Sequence, residues 1–257
     1  MVDYTKAYRC ALLSQEVYRD FSTLKFSEFP NITPDFIDQT NTDTQCAILS
    51  DTTGKTVYIA FRGSEKRLDW DTNLNLEQGV VNFQERVIQD KIVQQREQVY
   101  PYAGESSSGA KMHSGFSAAY MSVRKQIHEY LSTHDAATVT TTGHSLGGAL
   151  ATLCAVDVQY NFADKVAIDV YTFGSPRVGN DGFRDSFNRR VPDSFRFVYG
   201  MDIVAALPRP WQGYRHVDKE YRLGPRFSIN FLSQRFKDHE ISNYVKALKE
   251  RAATNNG

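Results

Sequence analysis

The sequence predicts an α/β fold, a central and mostly parallel β-sheet with helices on both faces, and three observations lead there. Strand-like segments alternate with helical segments along most of the chain. No internal repeat at solenoid spacing competes with that alternation. One short stretch, Thr140–Leu150 (TTTGHSLGGAL), runs from β-branched residues through a glycine-framed serine directly into small helix-forming residues. With 257 residues and 41% hydrophobic composition, the chain is long enough to bury a substantial core. It reads as a single domain over residues 1–257.

The elements follow in order. An opening helix is expected near Tyr4–Tyr18. Gln45–Leu49 and Thr56–Phe61 read as strands, joined through DTTGK, which has turn chemistry. Phe116, Tyr120, Val123, Ile127 and Tyr130 recur at helical spacing. Next come strand Thr138–Thr142, helix Leu146–Val158, strand Lys165–Phe173, helix Gly182–Arg189 and strand Ser194–Tyr199. EYRL, ending at Leu223, is strand-like, and a helix near Ile241–Arg251 closes the pattern. The polar, glutamine-rich segment Leu76–Lys111, which contains GESSSG, stands outside this alternation. It reads as a solvated insertion, or alternatively as a mobile cover over a site.

Composition narrows the function classes. Thirty basic residues balance thirty acidic ones, so no overall charge draws the chain to nucleic acid. Residues 177–251 nevertheless hold 15 Lys and Arg against 9 Asp and Glu, which suits a solvated basic face or contact with an anionic lipid surface. The N-terminal MVDYTKAYRCALLSQ lacks the charged start and apolar core of a secretory signal. No apolar run approaches the roughly 18 residues that span a bilayer. The expectation is a soluble protein without a transmembrane segment, cytoplasmic as written or secreted after loss of a leader. Cys10, Cys46 and Cys154 are odd in number and widely spaced, suggesting neither a disulfide framework nor a zinc site.

The serine motif carries the chemistry. GHSLG matches G-x-S-x-G where a Thr-rich strand turns into a helix, a turn that needs a strained backbone at Ser145 and lifts its hydroxyl above the sheet edge. A plain N-cap would explain the serine but not Gly143 and Gly147, which leave room for close packing. A serine hydroxyl becomes a nucleophile when a histidine takes its proton and a carboxylate holds that histidine. Asp202 is the favoured acid, at the loop after FRFVYG, with Asp181 as second choice. Both His239, in FKDHEISNY, and His216 follow Asp202, and spacing leaves both open with His239 preferred. His144 should diverge from its neighbour Ser145. The expected oxyanion donors are the backbone N–H of Leu146 and Ser64 in VYIAFRGS, through its N–H and its hydroxyl.

Taken together, FRGS, MHSGF, TGHSLGGALA, FGSPRVGN, DIVAALP and DHEISNY resemble, in order, the landmarks of the fungal-type class 3 lipase family of α/β-hydrolases. The resemblance covers about residues 45–250. It implies an α/β-hydrolase fold and ester hydrolysis with Ser145 as nucleophile, Asp202 as acid and His239 as base. It also implies an oxyanion hole at Ser64 and Leu146, and an amphipathic lid over about residues 65–76 that includes Leu68, Trp70 and Leu74. A polar insertion follows over about 77–110. Trp70, Val204 and Leu207 become candidate substrate-binding residues. Glu240 stands where the fungal lipases often have an apolar residue, and the charged EKRLDWD makes strong activation by an oil surface less expected.

The expected substrates are triacylglycerols or similar acyl esters, with soluble aryl or feruloyl esters and phospholipids as alternatives. A catalytically idle lipid- or protein-binding module is the rival from another class. The expected partners are a lipid or small ester and a transient lipid–water interface, not nucleic acid. No metal or organic cofactor is required by this chemistry.

Overall fold

Seven strands form the central sheet, in the order β1 (Asp35–Gln39), β2 (Thr44–Ser50), β3 (Thr56–Phe61), β6 (Thr138–His144), β7 (Ala167–Phe173), β8 (Ser194–Tyr199) and β9 (Glu220–Leu223). Two further strands, β4 (Glu97–Val99) and β5 (Lys111–His113), make a separate antiparallel pair. The structure is a computed structural model, and it describes residues 2–63, 97–99, 110–217, 219–225 and 231–255. The sheet is parallel from β3 to β9, while β1 and β2 add an antiparallel edge. Strand β1 has no clear alternation in DFIDQ and was not expected from the sequence; only Ile37 is buried there.

Alternate side chains of the strands feed two separate cores, as the two-residue period of a strand requires. Ile48, Ile59, Phe61, Val139 and Val170 face one core, with helices α2 (Ser114–Thr133), α3 (Leu146–Phe162) and α4 (Asp181–Arg190). Ala47, Leu49, Tyr58, Ala60, Phe173 and Phe197 face the other, under α1 (Tyr4–Glu16) and α6 (Ile241–Asn255). Burial on both sides explains why the central strands read as nearly continuous apolar runs. A short helix, α5 (Phe231–Lys237), precedes α6.

Most boundaries lie within a few residues of those expected. Helix α1 ends at Glu16 rather than Tyr18, α3 runs on to Phe162 rather than Val158, and α6 reaches Asn255 rather than Arg251. Among the described residues, no helix is long and apolar enough to cross a membrane. The expected lid over 65–76, and all of the 77–110 insertion except β4 and Ala110, lie outside the described residues.

A polar knot ties α2 to α3. Asp157, 1% exposed, accepts hydrogen bonds from Tyr120 Oη and His128 Nε2 and pairs with Arg124 at 3.0 Å. Removing a buried charge partner leaves the remaining polar groups without their acceptor. Asp157→Ala is therefore expected to lower unfolding free energy by about 2–3 kcal/mol, read from denaturant midpoints at an unchanged slope.

Candidate active site

The parallel strands β6, β7 and β8 end on one edge of the sheet, where open α/β sheets collect their functional groups. Strand β6 passes without a loop into α3, and Ser145 sits at the junction with φ 58° and ψ −129°. That left-handed backbone is costly for a residue with a β-carbon and turns the hydroxyl away from the helix. The surrounding glycines make the sharp turn possible. A β-carbon on Gly143 would run into the backbone of Gly147, and one on Gly147 would run into the backbone of Phe61. The Ser145 N–H is held by the Phe173 carbonyl at 3.0 Å, locking the turn to β7.

Two distant segments converge on this hydroxyl. His239, at the turn between α5 and α6, places Nε2 2.9 Å from Ser145 Oγ. Its Nδ1 lies 2.8 Å and 3.0 Å from the two carboxylate oxygens of Asp202. Because a carboxylate only accepts, Nδ1 carries the proton and Nε2 is left to accept from the serine. Asp202 follows β8 and is buried, and its Oδ1 also accepts the Val204 N–H at 2.8 Å. Burial opposes its charge, but the facing imidazole and the hydrogen bonds from His239 and Tyr244 outweigh that and hold the carboxyl below the usual carboxylate range.

The structure brings Ser145, Asp202 and His239 together and leaves the other candidates elsewhere. Asp181 opens α4, half-exposed, and pairs with Arg184 and Arg215. His216 donates from Nε2 to the Ala205 carbonyl at 2.6 Å, and burial keeps its imidazole well below the ordinary range. Leu146 is the first residue of α3, where backbone N–H groups have no intrahelical acceptor. Ser64 and Trp70 lie outside the described residues. Val204 and Leu207 are buried in the same core that Leu146 packs against.

Sequence reasoning overlooked a supporting layer. Tyr244 on α6 donates to Asp202 Oδ2 at 2.5 Å, and burial and the carboxylate raise its own pKa so that the proton stays on the phenol. The signal was present: Tyr244 is the last residue of DHEISNY. With a hydrogen bond to a charged acceptor worth about 1.5–3 kcal/mol, Tyr244→Phe should lower kcat about tenfold with KM nearly unchanged. Initial rates on a soluble ester check it.

His144 forms the other support. Its side chain leaves Ser145, as expected, and its Nε2 donates to the backbone carbonyl of His239 at 2.7 Å while Nδ1 accepts from Tyr18 Oη at 3.1 Å. Burial, aided by the charge of His239, pushes the His144 imidazole down to about 3. The unfolded chain takes up a proton at this residue below about pH 6.5, which the folded chain refuses, so stability falls as pH falls. Between pH 6.5 and 4.5 the loss from His144 is about 2 kcal/mol, and His216 acts in the same direction. Denaturant titrations across that range check it; a flat profile would contradict it.

An aligned hydroxyl, imidazole and carboxylate at a sheet edge, beside a helix N-terminus, is an arrangement able to attack a carbonyl carbon and hold the negative oxygen that results. Comparison with known proteins agrees with that chemistry. Residues 58–211 match the family model described as lipase (class 3). The chain is 32% identical over 188 residues to a secreted mono- and diacylglycerol lipase of Fusarium solani, covering 72% of this chain and 49% of that protein. It is 31% identical over 234 residues to a chloroplastic phospholipase A(1) of Arabidopsis thaliana, covering 74% and 48%. The chain thus spans about half the length of the curated relatives it matches. The lipase of Rhizopus microsporus var. chinensis superposes with a TM-score of 0.68 at 25% identity, covering 88% of this chain and 75% of that one. A Rhizomucor miehei lipase in complex with its propeptide superposes with a TM-score of 0.69 at 22% identity, covering 94% and 77%, a likeness of fold.

Proposed function

The chain belongs to the class 3 lipase family, with the α/β-hydrolase fold, and from that premise we propose that it hydrolyses carboxylic esters of acyl glycerols through an acyl-enzyme on Ser145. The observation that carries this reading is the line of contacts from Ser145 Oγ through His239 to Asp202.

In the first half-reaction His239 Nε2 takes the hydroxyl proton as Ser145 Oγ bonds to the ester carbonyl carbon. The carbonyl π electrons move onto oxygen, which the N–H of Leu146 and Ser64 stabilise. Collapse breaks the bond to the alcohol oxygen, which departs with the proton from His239. Water then attacks the acyl-enzyme, giving its proton to His239, and the fatty acid leaves as Ser145 recovers its hydrogen. Asp202 stays ionised throughout, orienting the imidazole and stabilising its positive charge. In this reading Val204, whose N–H bonds to the Asp202 carboxylate, and Leu207, buried in the core that Leu146 packs against, serve the acyl chain, with Trp70 as a further substrate contact.

Two measurements test this. A p-nitrophenyl phosphonate should label Ser145 stoichiometrically, with tryptic mass spectrometry placing the adduct; an unlabelled serine would end the proposal. Rates on graded acyl chains, below and above substrate solubility, then separate lipase from esterase. A soluble-ester or phospholipid preference has its own support in Glu240, which is exposed directly after His239 and charges the rim of the site. A rate that levels off at the solubility limit would select that second reading.

A further inference from the structure

The loop that leaves Asp202 returns with a feature the ester chemistry does not use. Its lower part is built in: Val204, Ala205, Leu207, Pro208 and Tyr214 are buried. Its tip is not, for Arg209, Pro210, Trp211 and Gly213 are exposed. Trp211 is 77% exposed, against 48% for Met121 and Tyr160, the other large exposed apolar residues among those described.

This exposure is held in place. The Gln212 side chain accepts the Arg209 N–H at 2.7 Å while the Gln212 N–H returns to the Arg209 carbonyl at 2.9 Å, closing the tip on itself. Arg215 reaches the Pro210 carbonyl at 2.7 Å, and Arg177 reaches that of Pro208 at 2.8 Å. The Arg209 guanidinium stands 5.0 Å from the Trp211 ring centroid. A large indole is therefore presented to solvent from a braced support.

The surroundings are positive. Arg196, Arg209 and Arg215 lie close enough to oppose the charge of Arg177, and Arg209 acts likewise on Arg235. Among the described residues the carboxylates here are Asp181, shared between Arg184 and Arg215, Glu220, paired with Arg196 and Arg222, and Asp202, held by His239 and Tyr244. Five of the 15 basic residues of 177–251 stand here, in a chain whose net charge is zero.

We infer that the Arg209–Gly213 tip docks the protein on an anionic lipid surface, Trp211 entering the headgroup boundary and the exposed Arg209 meeting its negative charge. An indole is favoured at that boundary, where one end is apolar and the other wet. Each basic side chain near such a surface contributes about a fivefold gain in binding. A single-stranded nucleic acid also accepts aromatic and arginine contacts, but it calls for successive stacking platforms along a basic groove, and one indole on a loop tip supplies neither. The choice of lipid rests on the ester-hydrolase reading; docking itself is measured without turnover.

The test uses the full chain carrying Ser145→Ala, so that nothing is hydrolysed, sedimented with vesicles of phosphatidylcholine alone or with about one third phosphatidylglycerol. Binding to the anionic vesicles should be about tenfold tighter or more, and added salt should erase the difference. Trp211→Ala should weaken binding to the anionic vesicles about tenfold, and Arg209→Gln about fivefold. Equal binding to both vesicles, or variants that bind like the parent, would overturn the inference. So would Trp211-dependent self-association in sedimentation velocity, or tighter retention on single-stranded DNA than on the anionic vesicles. Phosphonate labelling of unmodified Ser145 tests the catalytic reading separately, so either can fail alone.

Discussion

Ser145→Ala lowers kcat on a soluble p-nitrophenyl ester by about 10⁵-fold or more, while KM moves little. The size follows from the geometry. With Oγ gone, His239 has no proton to take and the acyl-enzyme cannot form, so only substrate binding and the oxyanion donors remain to exceed the rate in water. His239→Ala should cost a similar factor, and the double variant little more, because the two groups act as one unit 2.9 Å apart. Near-normal turnover by the serine variant would place the chemistry elsewhere in the molecule. Stability is the necessary control, since Ser145 holds a strained backbone and alanine would occupy the same φ of 58°.

The second large effect is at Asp202. Asp202→Asn should reduce kcat about 10⁴-fold with substrate affinity retained. The carboxylate accepts from His239 Nδ1 and so keeps the proton off Nε2, the atom that faces Ser145. An amide can turn its NH₂ toward Nδ1, which selects the opposite tautomer and leaves Nε2 unable to accept. It also withdraws a charged acceptor from the Tyr244 hydroxyl, which is fully buried. A loss of tenfold or less, in a variant that still melts cooperatively, would mean that Asp202 only packs. The depressed carboxyl adds a stability signature. Its contribution is complete above the unfolded value near pH 3.9 and disappears only as pH falls through the lower folded value, so the asparagine variant should lose stability at neutral pH but not in strong acid.

The sequence was most informative where neighbours along the chain decide the structure. The strand before Ser145, the two framing glycines and the small residues after it specify a strained turn, because each acts on the backbone within a few residues. The same holds for strand β8, read from FRFVY with the boundaries seen in the fold, and for the helix carrying Phe116, Tyr120, Val123 and Ile127 on its buried face. Strand β1 escaped because its pairing with β2 supplies what its own residues do not. Spacing likewise left His216 and His239 both open, since each follows Asp202 in a loop context and differs only in what packing places beside it.

By itself, then, the sequence determined the alternation of strands and helices, the location of the strained turn at Ser145 and the loop position of Asp202. Spacing left His216 and His239 open and the family resemblance pointed to His239, but only the tertiary structure showed His239 facing the serine, Tyr244 and His144 bracing it, and Trp211 exposed on a braced loop. The physical reason is range. Backbone preference is written in adjacent residues, whereas the contacts of His239 with Ser145 and of Tyr18 with His144 join positions 94 and 126 residues apart, and they exist only once two cores have closed on the faces of one sheet.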